Sequence, residues 1–540
     1  MNRMLNISLS QLNWIVGDIE VNCERMLHEA KVQQLNGADI ILFSELALSG
    51  YPPEDLLFRS DFYQRCNKQL DRLRNASQNI AIVTGHPWKQ YKKYYNALSF
   101  FWHGRIIARY FKQKLANYGV FDEKRYFHSG KKTSVISFKN YKLGFLICED
   151  IWFNKPIDEI KNKGADILIV INASPYNCKK SHIRSELLKF QSKRTNLPII
   201  YLNQVGGQDE LIFDGGSKVF NSQGEITHCL AQFSEQIIQC KFNDCNPLPI
   251  SNLTKTLSSI GQIYEALVMA TRDYINKNKF SGVILGLSGG IDSALTLIIA
   301  VDALGKNNVQ AIMMPFKYTS DLSIFYAKKQ AKLLDIEFSI IPITSMYNTF
   351  ISSLTPLFPN MSHDITEENL QARCRAIILL AISNKSGRLV LTTSNKSESA
   401  VGYTSLCGDM AGGFAVLKDV SKTLVFELAK YRNTISPTIH RQVIERSPSA
   451  ELSPGQLDQD HLPPYSILDA ILEGYVELDK SVNELVSLGF DELTVRKIIK
   501  LVDTNEYKRR QAPIGPSVTI RNFNKDRRYP ITSGFGYKNW

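Results

Sequence analysis

The stretch Val283-Ile284-Leu285-Gly286-Leu287-Ser288-Gly289-Gly290-Ile291-Asp292-Ser293 decides the fold of the C-terminal half. It opens as an apolar run of strand length, and residues 294–303 beyond it continue as an apolar helical run. Between the two, glycines let the backbone approach a ligand, and successive N–H groups at the start of a helix form a cradle for an anion. The common triphosphate loop, Gly-x-x-x-x-Gly-Lys-Ser/Thr, needs a lysine that this stretch lacks. Gly286-x-Ser288-x-Gly290 also fits the nucleophile elbow of α/β-hydrolases, a short pattern of low specificity.

Downstream, residues 309–314, 338–342 and 389–392 are short apolar runs separated by helical stretches. With an amphipathic helix over residues 259–275 in front, this predicts a doubly wound parallel sheet (Rossmann-like) over residues 259–540, with ligands at the carboxyl ends of its strands. Residues 346–368, which include Pro356 and Pro359, and the Gly-rich residues 405–414 read as mobile loops over such a site. From residue 463 short helices lead to a basic tail, residues 508–528, interleaved with Tyr507, Phe523 and Tyr529.

Upstream, alternation at Leu5, Ile7 and Leu9 reads as a first strand, without the continuous apolar core of a secretory signal. Strand-like runs at residues 39–43, 80–85, 142–147, 165–171 and 199–203 alternate with helical ones, and residues 98–102 and 106–111 form a hairpin. Residues 1–245 are therefore expected to be a layered α/β domain, and residues 246–258, rich in Pro and turn formers, a linker.

The bulk properties narrow the function. A chain of 540 residues, 44% hydrophobic, can bury at least two cores. Its apolar runs fall short of the roughly 20 residues that cross a bilayer, so no membrane association is expected. The nine cysteines are scattered, with no Cys-x-x-Cys pair, which suits a reducing, cytoplasmic setting. A net charge of +12 suits either nucleic acid or an enzyme that collects phosphorylated and carboxylated substrates.

One cysteine stands apart. Residues 142–147 deliver Cys148 at the end of a buried strand, Glu45 follows another, and Lys112 follows residues 106–111. Lys112 and Lys114 lie two apart and share a strand face, so spacing does not choose between them. The triplet Glu45, Lys112 and Cys148 resembles the triad of the nitrilase (carbon-nitrogen hydrolase) family, which implies an αββα sandwich that hydrolyses an amide. The family's lysine is followed three residues later by leucine, here Leu115, which selects Lys112; the proline usual at the next position is Ala116 in this chain. The resemblance implies that Glu45 is the base, that Lys112 stabilises an oxyanion, and that Cys148 carries a thioester. It further implies that Glu123 orients the lysine and that Tyr118, Ser174 and Lys180 contact glutamine.

Ser288-Gly-Gly-Ile-Asp-Ser293 resembles the pyrophosphate loop of ATP pyrophosphatases. The segments 366–373, 392–398, 408–414, 418–423, 448–452 and 506–510 resemble the substrate segments of NAD synthetases, with Ser394 in place of an expected glycine. This resemblance implies that Gly286, Leu287, Ser288, Gly289, Gly290, Ile291, Asp292, Ser293, Thr393, Lys422 and Ser449 contact ATP, and that Asp292 and Glu398 bind Mg²⁺. It implies that Asn369, Arg373, Glu398, Asp409 and Lys508 hold deamido-NAD. The expectation is thus a glutamine-dependent NAD synthetase, a carbon–nitrogen ligase acting on small molecules and not on nucleic acid, paired into a homo-oligomer through its second domain. Because free ammonia is mostly protonated at neutral pH, sheltered transfer of the nitrogen is expected too. The alternatives are a tRNA-modifying adenylating enzyme, whose basic tail would grip phosphates, and a simple amidase with a regulatory C-terminal half.

Overall fold

The computed structural model describes residues 4–250, 253–358 and 362–535. The chain divides into two units, Met1–Leu257 and Ser258–Trp540.

The strands of the first unit are β1 (Met4–Gln11), β2 (Ile40–Leu42), β3 (Ala81–Gln90), β4 (Lys93–Trp102), β5 (Arg105–Phe111), β6 (Ser134–Phe138), β7 (Tyr141–Ile147), β8 (Ile167–Asn172), β9 (Ile199–Asn203), β10 (Val205–Gln208), β11 (Leu211–Asp214), β12 (Lys218–Phe220), β13 (Ile226–Cys229), β14 (Gln236–Asn243) and β15 (Asn246–Pro247). One sheet runs β15-β14-β1-β2-β3-β4-β5 and a second runs β13-β12-β9-β8-β7-β6, with β10-β11 as a separate pair. Period-2 alternation sends Leu5, Leu9, Ile40, Leu42 and Phe100 of the first sheet into a core shared with Phe145, Ile167, Ile169 and Leu202 of the second. The outer face of the first sheet, through Ile41, Phe43 and Ile82, is covered by Cys23 and Met26 of helix Ile19–Leu35 and Leu70 of helix Ser60–Ala76. Ile157 and Ile160 of helix Asn154–Asn162 and Leu188 of helix Lys180–Thr195 pack with the second sheet. This is the expected αββα layering. Within the expected linker, Asn246–Pro247 pairs with β14 at the sheet edge, a place that tolerates the missing proline N–H; Ser251 and Asn252 lie outside the described residues.

In the second unit β16 (Val283–Gly286), β17 (Val309–Met313), β18 (Glu337–Ile340), β19 (Leu389–Thr392) and β20 (Phe414–Ala415) form a wholly parallel sheet in the order β18-β17-β16-β19-β20. Strand order reverses at β16, so the chain leaves its carboxyl end where neighbouring connections diverge and a crevice opens. Helix Ile365–Ser386 covers one face, with Cys374, Ile378 and Leu379 against Ile284, Ile312 and Val390. A further core joins the C-terminal helices through Tyr465, Leu468, Ile471, Val495 and Ile498.

Two expected loops are ordered structure. Most of residues 346–368 is helical: Thr344–Leu354, a short turn Thr355–Leu357, and the start of Ile365–Ser386. Pro359 lies outside the described residues. The missed signal is a capping box: Thr366 N donates to Asp364 Oδ1 at 2.7 Å, and Asp364 N donates to Glu367 Oε2 at 2.8 Å. Residues 405–414 are tied as turns, with Gly408 N donating to Ser405 O (3.0 Å) and Ala411 N to Gly408 O (2.9 Å).

Candidate active sites

In the first unit, the ends of two strands and the start of the short helix Glu123–Tyr126 bring one ammonium between two carboxylates. Lys112, just past β5, donates to Glu45 Oε1 at 2.7 Å and to Glu123 at 2.9 Å, and all three side chains are buried. Glu45 also accepts from Asn96 Nδ2 (2.7 Å) and from the N–H of Ala173 (2.9 Å). Burial acts against the charge on Lys112, but Glu123 and Glu45 outweigh it and hold the ammonium well above its usual range. Burial lifts the Glu123 carboxyl to about 7 against the pull of Lys112. Lys114 is not a rival for this place: β5 ends at Phe111, strand alternation no longer applies, and Lys114 Nζ lies 4.6 Å from the centroid of the Phe153 ring.

Cys148 follows the end of β7, 7% exposed and with a φ of +46°, a left-handed conformation uncommon for a residue with a side chain. Burial pushes its thiol well above the ordinary value and Glu45 adds to this, while Lys112 pulls the other way. The thiol therefore needs a base beside it to become a nucleophile. Around it, Tyr118, half exposed, donates to Glu149 Oε2 at 2.9 Å. Ser174 is buried; its N–H donates to Asn203 Oδ1 at 2.9 Å. Lys180 Nζ stands 4.5 Å over the Trp152 ring, its ammonium lowered by burial and raised again by Cys148 and Glu149.

Two features of this site escape sequence pattern. Asn96 also reaches Glu123, at 3.3 Å, so it bridges both carboxylates. Gly85 of β3 has no room for a side chain, since a Cβ would meet Leu46 N at 2.4 Å and Glu45 Cα at 2.7 Å. Ala116, in the family's proline position, donates its N–H to Glu123 Oε2 at 2.9 Å, a bond proline cannot make.

In the second unit a cavity of about 380 Å³ opens at the carboxyl ends of β16, β17 and β19. The whole loop Gly286 to Ser293 lines it, together with Asn369, Thr393, Ser394, Glu398, Asp409, Lys422, Ser449 and Lys508. The loop is pinned by its own hydroxyls: Ser293 Oγ donates to Gly290 O (3.0 Å), and Ser288 N donates to Ser293 Oγ (3.2 Å). Gly289 has a φ of +85°, and a Cβ there would lie 2.2 Å from Ser323 O, so only glycine fits. Among the described residues no histidine lines the cavity, and Ser288 Oγ is bound to Ser293 Oγ at 3.0 Å, so the hydrolase-elbow reading of Ser288 lacks its histidine partner.

Lys422 Nζ donates to Asp292 Oδ2 (2.6 Å) and Glu398 Oε1 (3.0 Å), so both carboxylates reach one cationic point. Burial raises Glu398 to about 7, with Lys422 opposing. Asn395 fixes the pair, donating to Asp292 Oδ1 (3.0 Å) and capping the Glu398 N–H (3.0 Å). Asp409, raised to about 6 by burial, accepts from Ser405 N, while Lys508 Nζ donates to Gly402 O (2.9 Å) and Thr404 O (3.1 Å). Arg373 is the exception, absent from the cavity wall, its Nε donating to Leu406 O at 3.2 Å. The facing stripe of its helix is Glu368, Asn369, Ala372, Arg375, Ala376 and Leu379, and position 373 falls beside it.

Known proteins match the two halves of the chain in order. The sequence matches the carbon-nitrogen hydrolase family over residues 6–246 and the NAD synthase family over residues 263–512. It is 47% identical to the glutamine-dependent NAD(+) synthetase of Acinetobacter baylyi, with 99% of each chain covered. This chain belongs to the glutamine-dependent NAD(+) synthetase family. A solved structure of the glutamine-dependent NAD+ synthetase from Acinetobacter baumannii, in complex with adenosine diphosphate, is 45% identical over 98% of both chains, with a TM-score of 0.81. That of Cytophaga hutchinsonii, at 22% identity and a TM-score of 0.86 over 98% of both chains, shares the fold. The residues that sequence reasoning missed are supports: Asn96 and Gly85 beside Glu45 and Glu123, and Asn395 for Asp292 and Glu398.

Proposed function

We infer that this chain makes NAD from deamido-NAD, ATP and glutamine, with Cys148, Lys112 and Glu45 releasing the nitrogen and the cavity beside Gly286 to Ser293 installing it. It is a carbon–nitrogen ligase with glutamine as amido donor. The observation that carries the residue assignment is the buried ammonium of Lys112 held between Glu45 and Glu123.

Glu45 takes the Cys148 proton as sulfur attacks the glutamine amide carbon. Lys112 neutralises the oxyanion that forms, and its charge is secured by Glu123. Glu45 passes that proton to the amide nitrogen, which leaves as ammonia, and water activated by the Glu45 carboxylate so restored then frees glutamate from the thioester. Tyr118, Ser174 and Lys180 hold the amino acid.

In the other site the loop N–H groups, Thr393, Lys422 and Ser449 bind ATP, while Asn369, Glu398, Asp409 and Lys508 hold deamido-NAD; Arg373, which lies off the cavity wall, is left out of this set. The nicotinate carboxylate displaces pyrophosphate to form an acyl adenylate, and ammonia displaces AMP. Asp292 and Glu398 would hold Mg²⁺; two hard carboxylates converging on one cationic point fit an ion that also takes phosphate oxygens. Bound there, the ion offsets charge on the leaving pyrophosphate.

Exposed Ile377 and Leu380, a turn apart on helix Ile365–Ser386, support a homo-oligomer through the second domain. Among the described residues no helix is long and apolar enough to cross a membrane; it is the scattered cysteines that support a cytoplasmic placement. The test is incubation with deamido-NAD, ATP, Mg²⁺ and ¹⁵N-amide glutamine, with mass analysis of the NAD formed.

A further inference from the structure

The turn that presents the lysine and the turn that presents the sulfur share one carboxylate. Asp150 is fully buried and accepts four hydrogen bonds. Oδ1 receives the N–H groups of Gln113 (3.0 Å) and Lys114 (2.7 Å); Oδ2 receives the Tyr110 hydroxyl (2.7 Å) and the Ile147 N–H (3.2 Å). Gln113 and Lys114 are the first residues after Lys112, and Ile147 is the last before Cys148.

We propose that Asp150 is a positioning residue for amide hydrolysis: it ties the backbone leaving Lys112 to the backbone entering Cys148, and so fixes where the ammonium stands relative to the attacking sulfur. This rests on the reading of Cys148, Lys112 and Glu45 as the amidase. The need for such a tie is physical. Cys148 is held at a φ of +46°, which a side chain adopts only when its surroundings impose it. Misplacing a reacting group by about 1 Å costs on the order of 100-fold in rate. The four donors converge on an acceptor, so it is the ionised carboxylate that they receive, even though burial raises the carboxyl to about 6. With no surface exposed, Asp150 acts through the two turns and not on the substrate.

The test is Asp150→Asn in the full chain. The amide keeps an oxygen for Gln113 and Lys114 but turns an NH₂ toward the Ile147 N–H, donor against donor, which releases the Cys148 side. Glutamine-dependent kcat should fall about 30- to 100-fold, with KM for glutamine within about threefold and ammonium-dependent synthesis unchanged. Iodoacetamide should modify Cys148 correspondingly more slowly. Tyr110→Phe, which removes one donor of the four, should show a smaller loss of kcat in the same direction, and it serves if Asp150→Asn fails to fold. Wild-type kcat in both variants overturns the proposal. So does a loss in both that comes with lost glutamine saturation and a first unit unfolded at the assay temperature, because the carboxylate is then only structural. Cys148→Ala separates the two readings: if it retains glutamine use, the amidase assignment itself fails, whereas its inactivity beside normal Asp150 variants sinks the positioning role alone.

Discussion

Lys112 carries the sharpest consequences at the residue scale, because a buried charge stripped of a partner is expensive, about 3–5 kcal/mol. Glu123 holds its proton up to about 7, against a usual 4.5, through burial. The folded chain therefore binds this proton more tightly than the unfolded chain. The stability it contributes is present below about 4.5 and is lost as pH rises through about 7, a change of at most a few kcal/mol. Glu123→Gln removes that slope, so the unfolding midpoint of the variant relative to the parent should rise between pH 5 and pH 8. A difference that stays flat would show that Glu123 is ionised throughout. Ala116→Pro makes a second, independent change at this carboxylate. It deletes the N–H that bonds Glu123 and leaves a buried acceptor short by one donor, a loss of about 1–3 kcal/mol. Glutamine-dependent kcat should drop several-fold with ammonium-dependent synthesis untouched, as steady-state assays with each nitrogen source will tell. The family resemblance, not the pattern, chose Lys112 over Lys114 and pointed to Glu123, whereas Glu45 and Cys148 were legible as candidates because strand ends deliver them. Asn96 was not, since only the pairing of β4 with β5 carries it to Lys112, whose N–H donates to Asn96 O at 2.9 Å.

Elements explain why the remainder was harder to read. The strand–loop–helix at residues 283–293 was legible because a buried strand, a glycine turn and a helix start each leave a local mark. Gly289→Ala violates both its φ of +85° and the 2.2 Å approach to Ser323 O; kcat/KM for ATP should fall by at least tenfold, while glutamine hydrolysis at Cys148 continues. Residues 346–368 misled because their prolines drew attention away from the capping box at Asp364. Asp364→Ala should lower the unfolding midpoint of the second unit, and no change there would remove the cap as the reason this helix begins where it does. The basic tail was also ambiguous as sequence. Arg509 and Arg510 donate to Glu506 at 2.8 and 2.7 Å, and Arg527 donates to Glu506 and Asp503 at 3.1 and 3.2 Å. The Arg527 guanidinium lies 3.5 Å over Tyr529 and that of Arg509 4.6 Å over Phe523. Aromatic interleaving there clothes internal ion pairs.

For the whole molecule, the account is that one chain removes nitrogen from glutamine and places it on a nicotinate carboxylate. Fold class was legible in full, since each half repeats one supersecondary pattern several times; the placing of Arg373 beside the stripe facing the cavity was not, because a helix phase is set by packing. The central claim is tested most directly by giving ¹⁵N-amide glutamine, deamido-NAD, ATP and Mg²⁺ to the parent chain and to Cys148→Ala, then weighing the NAD. The parent should yield NAD one mass unit heavier with one AMP and one pyrophosphate per turnover, and Cys148→Ala should yield none from glutamine but unlabelled NAD from added ammonium. Labelled NAD from Cys148→Ala, or glutamine consumed by the parent with no nitrogen reaching NAD, would contradict it.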